Sequence, residues 1–352
     1  MTKTIRILAA LAIVQAILAA VLLTSGNRLA GPAPGHPLLT FDPAGIDKIV
    51  IEDSHKARVV LQRHNGAWQT EDGFPADKYK AERLLKKLAG LKAGLPVSTS
   101  KDALGRFQLT DDDFQRRITL YSGSDTRGVL LLGNGAGARK THARSGDSNQ
   151  VVAIALGTYD TPVKTDDWRD KTVLQLKKDS IEKIAADGLT LTRKRDDKAA
   201  SDNLALWTAD PLPEGKVVNL KAIDQLVARL SSLRFDQWLG REAKPEYGLD
   251  HPILEFDVTA NGKTRHYAIG QRKEKDKKDG DYILKVSDRD DYFTLPGYTV
   301  DSLKQKIGKD AWLMDKPAEP ETTEDGKDAN SAAPPEAGQA EKAETPLPAT
   351  TP

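Results

Sequence analysis

A pattern that occurs twice constrains the fold of this chain more than any other feature of its sequence. GRFQLTDDDFQRRITL at residues 105–120 and PEYGLDHPILEFDV at residues 245–258 both place an aromatic residue and then a leucine before an acidic turn. A strand of alternating apolar residues follows in each case. The two segments lie about 140 residues apart, which is the length of one ordinary domain. The sequence therefore predicts two copies of one folding unit.

The rest of the two halves matches in the same order. IDKIVIE at residues 46–52 and IEKIAAD at residues 181–187 are the predicted opening strands. Trp68 and Trp207 lie on a later short strand of each half, and we interpret them as core anchors rather than sugar-stacking platforms. Leucines then recur at helical spacing, which predicts one amphipathic helix in each half. These leucines are Leu84, Leu88 and Leu91 in the first half and Leu226, Leu230 and Leu233 in the second.

Hairpins complete each predicted unit. The second half turns at Asn261-Gly262, a dipeptide that accepts positive φ and so favours a two-residue hairpin turn. Each half then closes with another hairpin, a short helix and a late tryptophan, Trp168 or Trp312. The repeated order of elements, rather than any single motif, therefore supports the fold prediction.

The amino terminus carries a predicted membrane anchor. Lys3 and Arg6 precede an apolar run that extends from Ile7 to Leu23 and is interrupted only by Gln15. The run is longer than the usual signal-peptide core of about 7–15 residues and is apolar all round, which favours an uncleaved transmembrane anchor. The basic residues before it predict a cytoplasmic amino end and an extracytoplasmic remainder.

Together these features predict an α+β protein of two tandem similar domains, residues 41–175 and residues 176–315. Each domain would consist of antiparallel β hairpins with one main amphipathic helix packed on the sheet, and an N-terminal transmembrane helix would precede them. The other predicted segments are a cytoplasmic N-terminus at 1–6, a transmembrane signal anchor at 7–25, a flexible stalk at 26–40 and a disordered Pro/Glu/Ala-rich tail at 316–352. The sequence RLAG around Ala30 leaves cleavage of the amino-terminal segment as an alternative.

Charge and cysteine content restrict the classes of partner and site. The chain has 52 basic and 51 acidic residues, so its net charge is +1 and it has no strong field to attract nucleic acid. It contains no cysteine, which excludes disulfides, zinc–thiolate sites, a thiol nucleophile and a lipid-modified cysteine. We therefore predict no nucleic-acid partner.

The order of anchor, strand with tryptophan, helix, turn and hairpin ending in Ile-Gly resembles the DUF4340 family of bacterial envelope proteins. The best stretch is YGLDHP at residues 247–252, which carries a Tyr-Gly-Leu-Asp-x-Pro pattern completely. In the first copy Gln108 replaces the glycine and Thr110 replaces the aspartate, which predicts that the first turn is built differently. The resemblance implies a membrane-tethered extracytoplasmic protein, often encoded beside ABC-transporter components of the gliding-motility type, and it implies such components as the partner class but no catalytic residues.

We interpret the Tyr-Gly-Leu-Asp-x-Pro turn as structural. Gly248 can adopt a backbone conformation that other residues resist, Asp250 can accept a hydrogen bond from an amide two positions on, and Pro252 leads into a strand. Tyr247 and Leu249 would anchor the turn on the core. A ligand-binding turn is the alternative interpretation.

No pattern in the sequence identifies a catalytic, cofactor-binding or metal-binding residue. GNGAGA at residues 133–138 lacks the following helix that a dinucleotide fingerprint requires, and GDS at residues 146–148 lies in a polar turn. The six histidines include no closely spaced metal-ligand pair. The acidic clusters at residues 111–113 and 288–291 are typical of a helix-start cap and a β-turn respectively.

The sequence therefore predicts a non-enzymatic role without a cofactor. We expect a single-pass inner-membrane protein with periplasmic domains, which acts as a scaffold or accessory protein and has an ABC transporter component as its partner. The alternative is an envelope carbohydrate-binding protein or hydrolase with a site in the inter-domain cleft. Aspartate, histidine or tryptophan side chains that converge in that cleft would favour the alternative.

Overall fold

The computed structural model describes residues 14–15, 35–194, 206–272 and 281–317. The predicted cytoplasmic N-terminus, nearly all of the predicted anchor, the first part of the predicted stalk and the predicted tail from residue 318 onward lie outside these ranges. Within the described ranges, no helix has the length and apolar character needed to cross a membrane. The described residues form an α+β protein with two seven-stranded antiparallel sheets.

The first sheet belongs to the first lobe, residues 35–168. Its strands are β1 (Lys48–Glu52), β2 (Arg58–His64), β3 (Ala67–Thr70), β4 (Arg116–Ser122), β5 (Asp125–Gly135), β6 (Thr141–Ser145) and β7 (Val152–Ile154). They lie in the order β3-β2-β1-β4-β5-β6-β7. Helix α1 (Lys78–Ala89) connects β3 to β4.

The second sheet belongs to the second lobe, residues 174–317. Its strands are β8 (Ile181–Ala186), β9 (Leu189–Lys194), β10 (Leu206–Asp210), β12 (Leu254–Ala260), β13 (Lys263–Gln271), β14 (Tyr282–Val286) and β15 (Tyr292–Leu295). They lie in the order β10-β9-β8-β12-β13-β14-β15, and helix α2 (Leu220–Ser231) lies between β10 and β12 in the chain. The two sheets therefore share one topology, with the main helix inserted at the same point.

Both main helices form for the same local reasons. The side chain of Asp77 accepts a hydrogen bond from the amide of Lys80 at 3.0 Å and caps α1, and Asn219 caps α2 by accepting from Ala222 at 3.1 Å. The predicted leucine stripes of both helices are buried. Each helix thus covers one face of its sheet and encloses a core.

A late tryptophan fixes the start of each main helix. The carbonyl of Trp168 accepts the backbone N–H of Asp77 at 2.7 Å, and the carbonyl of Trp312 accepts the backbone N–H of Asn219 at 2.8 Å. Both indoles are fully buried, and each donates to a carbonyl six residues earlier in the chain. These paired contacts confirm the predicted equivalence of the two tryptophans.

The hairpin predicted at Asn261-Gly262 is confirmed. It joins β12 to β13 with φ values of 51° and 72° at the two turn residues, which only a dipeptide tolerant of positive φ adopts readily. Residues 35–40, at the end of the predicted stalk, are part of the first lobe. Leu38 donates to the carbonyl of Leu91 at 2.9 Å, and Leu39 is buried in the first core.

The two lobes differ in what flanks the main helix. In the second lobe α2 contacts α3 (Gly297–Lys306) and α4 (Lys309–Trp312). Strands β11 (Lys216–Val218) and β16 (Leu313–Asp315) pair in a separate two-stranded sheet. In the first lobe the expected short helix is only a 3-10 turn, Thr165–Asp167. That part of the prediction is wrong because Pro162, Asp166 and Asp167 leave the segment without an apolar helical stripe.

Candidate functional site at the seam between the lobes

The Tyr-Gly-Leu-Asp-x-Pro turn has the same backbone in both lobes. A 3-10 turn, Gly105–Phe107 or Pro245–Tyr247, leads into a residue with left-handed backbone, Gln108 at φ 53° or Gly248 at φ 66°. The prediction that the first turn is built differently is therefore wrong for the backbone. The Gln108 side chain accepts a hydrogen bond from Nε2 of Gln115 at 3.3 Å, which helps to hold a non-glycine residue in this conformation.

Two strand glycines explain how the turn lies on each sheet. A Cβ atom added to Gly133 would lie 1.9 Å from the carbonyl oxygen of Phe107, and one added to Gly270 would lie 2.2 Å from that of Tyr247. The backbone of the turn thus fills the space that a strand side chain would need. The sequence contains this signal, a glycine near the end of each returning strand, but does not reveal its cause. The contact supports a structural role for the turn.

The remaining motif residues lie around that contact. Tyr247 is 1% exposed, and its ring centroid lies 5.2 Å from that of Tyr292. Leu249 and Pro252 are half-buried. Asp250 is exposed, and its carboxylate makes no hydrogen bond among the described residues, so the predicted bond to an amide is absent. The turn therefore stays in place by packing of the tyrosine and backbone rather than by the aspartate.

Four of the five tryptophans are buried in a core. Trp68 and Trp207 are 2% and 7% exposed, and the two late tryptophans are fully buried. The fifth, Trp238, has no counterpart in the first lobe and is only partly buried. It lies where the two lobes meet, which makes that seam the candidate functional site.

An aromatic cluster forms the apolar part of the seam. Phe74 comes from the first lobe, in the segment between β3 and α1, yet it is fully buried in the core of the second lobe. Its ring centroid lies 5.7 Å from that of Phe235, 5.5 Å from Trp238 and 6.1 Å from Phe293. The hydrophobic core of the second lobe is therefore completed by a side chain of the first.

Arg169 forms the polar part of the seam on the first-lobe side. Its Nη1 donates to Oδ1 of Asp72 at 2.9 Å and its Nη2 to the other oxygen, while Nε donates to Oδ1 of Asp166 at 2.7 Å. The guanidinium carbon lies 4.2 Å from the ring centroid of Trp238, which belongs to the second lobe. Arg169 thus pairs with first-lobe carboxylates and stacks on a second-lobe indole.

A second charge network lies at the N–H group of the same indole. The indole N–H of Trp238 donates to Oδ1 of Asp291 at 2.9 Å. The other Asp291 oxygen lies 2.6 Å from Nη2 of Arg289, and Arg241 approaches Asp291 to 3.3 Å. The guanidinium of Arg289 also lies 5.7 Å from the ring centroid of Phe74. Asp291 is 4% exposed, and its charge is fully compensated.

The seam opens to solvent as a shallow depression of about 530 Å³. Its lining residues are Lys164, Thr165, Asp166, Arg169, Trp238, Leu239 and Gly240. Aspartate and tryptophan side chains converge here, which the alternative function, a hydrolase or carbohydrate-binding protein, requires. Their ionisation and their existing contacts decide whether they can serve in catalysis or ligand binding.

The electrostatics of the seam favour binding between the lobes over acid–base chemistry. Partial burial acts to raise the pKa of Asp72, but hydrogen bonds from Arg169 and Thr70 and the charge of Arg169 lower it overall. Burial likewise opposes the charge of Arg169, yet Asp72 and Asp166 raise its pKa overall. Asp72 therefore stays ionised, whereas a general acid needs a raised pKa. One face of Trp238 is already covered by Arg169.

The other sequence patterns lie away from the seam. GNGAGA begins within β5 and continues into the turn to β6, and GDS is the turn after β6, where the Ser145 hydroxyl donates to Asp147. The acidic cluster at 111–113 does not begin a helix, so that prediction is wrong; Thr110 caps its turn by accepting from Asp113, and Asp111 pairs with Arg144. Among the described residues, no three histidine or carboxylate side chains are grouped to hold a metal ion.

A second depression, of about 440 Å³, flanks α1 in the first lobe. Lys80 lies 4.7 Å from the ring centroid of Trp168, and Lys87 pairs with Asp160 at 2.8 Å. Burial, the largest influence, lowers the pKa of Lys80 despite two nearby carboxylates. Tyr159 at the rim is 96% exposed. The sequence suggested a site between the domains only as an alternative and identified none of its residues, and it gave no sign of the depression beside α1, because neither depression belongs to a motif.

Comparison with known proteins identifies one family. The family described as "Domain of unknown function (DUF4340)" matches residues 68–252, from the first repeated tryptophan to the end of the second turn motif. No curated protein and no solved structure matches the chain.

Proposed function

Since this chain belongs to the DUF4340 family, we propose that it is a membrane-anchored extracytoplasmic scaffold or accessory protein associated with an ABC-type transport system. In this role it is a single-pass inner-membrane protein whose two lobes lie in the periplasm. The apolar run before residue 24, preceded by Lys3 and Arg6, supports the anchor and its orientation.

One observation carries the scaffold proposal, the burial of Phe74 in the core of the opposite lobe. Lobes joined only by a linker move relative to each other by default. Here an apolar side chain of the first lobe is buried in the second core, and Arg169, held by first-lobe carboxylates, stacks on a second-lobe indole, so both contacts restrict that motion. A body of this kind holds contact surfaces on both lobes at a fixed separation, which is what a scaffold requires.

Site-specific photocrosslinking in intact cells tests this proposal. The probe is a photoreactive phenylalanine at Tyr159 in the first lobe or at Tyr298 in the second, because both tyrosines are strongly exposed, Tyr159 beside α1 and Tyr298 in the first turn of α3. We expect a covalent adduct with an envelope membrane protein from at least one position. The matched control is the same probe at Phe256, which is buried and should give no intermolecular adduct.

Three results would contradict the proposal. Adducts with cytoplasmic proteins alone, or protection of the lobes from protease added to spheroplasts, would exclude the extracytoplasmic location. A glycan or small molecule that copurifies in place of any envelope protein would exclude the scaffold role.

The second candidate function is a carbohydrate-binding protein or hydrolase with its site at the seam. The depression beside Trp238 is the observation that favours it, since aromatic rings bind sugar faces. Titration of the protein with cell-wall glycan fragments tests it. Saturable quenching of tryptophan fluorescence that disappears in Trp238→Phe would support this function, and no change in either protein would exclude it.

A further inference from the structure

The chain enters the first lobe at one end of α1. Residues 35–38 run antiparallel to the segment that follows this helix: Gly35 donates to the carbonyl of Ala93 and Leu38 to that of Leu91, both at 2.9 Å. Eleven residues, 24–34, separate this point from the end of the apolar run at Leu23. At about 3.3–3.6 Å per residue they span at most about 40 Å.

The surface next to this entry point is basic. Helix α1 contains five basic residues and one acidic residue, whereas α2 contains two basic residues and one acidic residue. Arg83, Lys86 and Lys92 are exposed and make no ion pair among the described residues. The acidic groups near them face other lysines, because Glu82 pairs with Lys78, Asp160 pairs with Lys87, and Asp77 and Asp167 lie near Lys80. The surface therefore has an uncompensated positive charge.

Exposed apolar side chains lie near the entry point in the chain. Leu95, two residues after Ala93, is 75% exposed, and Val97 is 48% exposed. Tyr79 is 77% exposed and shares a stripe of α1 with Arg83 and Lys86, at spacing i, i+4 and i+7. Exposed apolar and aromatic side chains among unpaired basic groups are typical of surfaces that lie on a bilayer.

We propose that this tether face, formed by Tyr79, Arg83, Lys86, Lys92 and Leu95, lies on the surface of an anionic phospholipid bilayer. The inference rests on the proposed membrane anchor and adds a second contact to it. The anchor keeps the tether face close to the bilayer, the basic groups bind lipid phosphates, and Leu95 inserts at headgroup depth. The first lobe then lies against the membrane and the second lobe projects from it.

The position of the face favours lipid over an acidic protein as its occupant. A segment of at most about 40 Å joins the end of the apolar run to Gly35, which pairs with Ala93, so the loop that carries Leu95 stays within that reach of the anchor. The corresponding flank of the second lobe is different. There Arg229 lies 5.5 Å from the ring centroid of Tyr298 on α3, so the helix is covered by protein.

Fluorescence quenching in vesicles tests the proposal with the full chain, which contains no native cysteine. Leu95→Cys is labelled with bimane, and the chain is reconstituted into phosphatidylcholine vesicles with or without phosphatidylglycerol, both containing a lipid with a nitroxide headgroup. The matched control is Leu212→Cys, an exposed loop leucine of the second lobe. We expect quenching at position 95 to exceed that at position 212 roughly twofold or more, and only with phosphatidylglycerol present.

Charge neutralisation tests the role of the basic groups. Arg83→Gln, Lys86→Gln and Lys92→Gln combined should remove the excess quenching at position 95 without changing flotation of the chain with vesicles. The control combination, Lys221→Gln, Lys244→Gln and Lys263→Gln, removes exposed charges of the second lobe and should change neither result.

The outcomes separate this inference from the proposed function. A chain that floats but is quenched equally at both positions, or equally in both lipids, overturns the tether-face contact and leaves the anchor in place. A label at position 95 that is shielded from iodide but not reached by the lipid nitroxide shows that protein covers the face, which also overturns the proposal. A chain that does not float overturns both the anchor and this contact.

Discussion

The sheets of the two lobes have the same strand order, but the elements that pack beside the main helix differ. In the second lobe α3 and α4 pack beside α2, and Lys306 of α3 donates to Oε1 of Gln225 at 2.9 Å. In the first lobe the equivalent stretch is irregular, and a depression with charged walls remains beside α1. The sheet order, the helix caps and the late tryptophans are retained in both copies. Divergence is thus concentrated on the helix-bearing surface, where contacts with other molecules can change without loss of the core.

A second difference concerns the seam. The first lobe supplies Phe74 to the core of the second lobe, whereas Trp238 has no equivalent in the first. The repeat alone would give two independent domains. We expect these unmatched residues to couple the two lobes into one cooperative unit.

The largest expected effect is that of Phe74→Ala. Removal of a fully buried phenylalanine costs about 3–5 kcal/mol of unfolding free energy. Here it also removes the apolar contact between the lobes. We expect tryptic cleavage between the lobes, at Lys171, to become faster in the folded protein. Denaturant unfolding and limited proteolysis measure the two effects.

Phe256→Ala is the matched control for this change. Phe256 is buried in the same core and stacks on Tyr267 at 4.6 Å, but among the described residues its ring has no aromatic neighbour in the first lobe. It should lower stability by a similar amount without faster cleavage at Lys171. Equal cleavage rates in the two variants would show that Phe74 does not couple the lobes.

The next largest effect should be the same in both lobes. Gly133→Ala and Gly270→Ala each place a Cβ atom within 2.2 Å of a carbonyl oxygen of the motif turn, so strand and turn must separate. We expect each to lower the unfolding free energy by about 3 kcal/mol. Gly135→Ala, on the same strand as Gly133 but with open space around it, should cost no more than about 1 kcal/mol. A small effect at only one of the two crowded glycines would break the structural equivalence of the turns.

A smaller and unequal effect is expected at the left-handed position of the turn. A Cβ atom at Gly248 would lie 2.6 Å from the carbonyl oxygen of Gln271, in addition to the strain of positive φ, so Gly248→Ala should cost about 2 kcal/mol. Gln108→Gly relieves a similar strain but increases the freedom of the unfolded chain, so its net effect should be under about 1 kcal/mol. Equal losses in thermal unfolding experiments would show that crowding at Gln271 is not what distinguishes the copies.

These residues also show how far sequence reasoning extends. The helices and the Asn261-Gly262 hairpin depend on neighbouring residues, so spacing and turn chemistry predicted them. The left-handed backbone of Gln108 depends on packing against a distant strand, whereas a glutamine ordinarily predicts a negative φ. The seam joins Phe74 to residues more than 150 positions later, and neither Phe74 nor Trp238 belongs to the repeat. An isolated phenylalanine in the polar stretch TEDGFPAD was the only available signal.

The smallest effect is expected from Asp72→Asn, and it tests the polar part of the seam. Because the pKa of Asp72 is lowered in the folded protein, its bond to Arg169 contributes stability above the unfolded pKa of about 3.9 and loses it as the pH falls through the folded value. The wild-type protein should therefore lose stability in this acid range. The variant should be less stable by about 1 kcal/mol at neutral pH, since Asp72 is partly exposed and Arg169 keeps Asp166, and should lack this part of the acid response.

Thermal unfolding between neutral pH and about pH 3 measures this difference, with Asp112→Asn as the control. Asp112 is an exposed first-lobe carboxylate without a partner among the described residues, so its replacement should leave the wild-type acid response unchanged. If Asp72→Asn shows the same acid response as the wild type, Arg169 does not hold Asp72 ionised. The coupling between the lobes would then depend on the aromatic cluster around Phe74 and on the stacking of Arg169 on Trp238, without a contribution from Asp72.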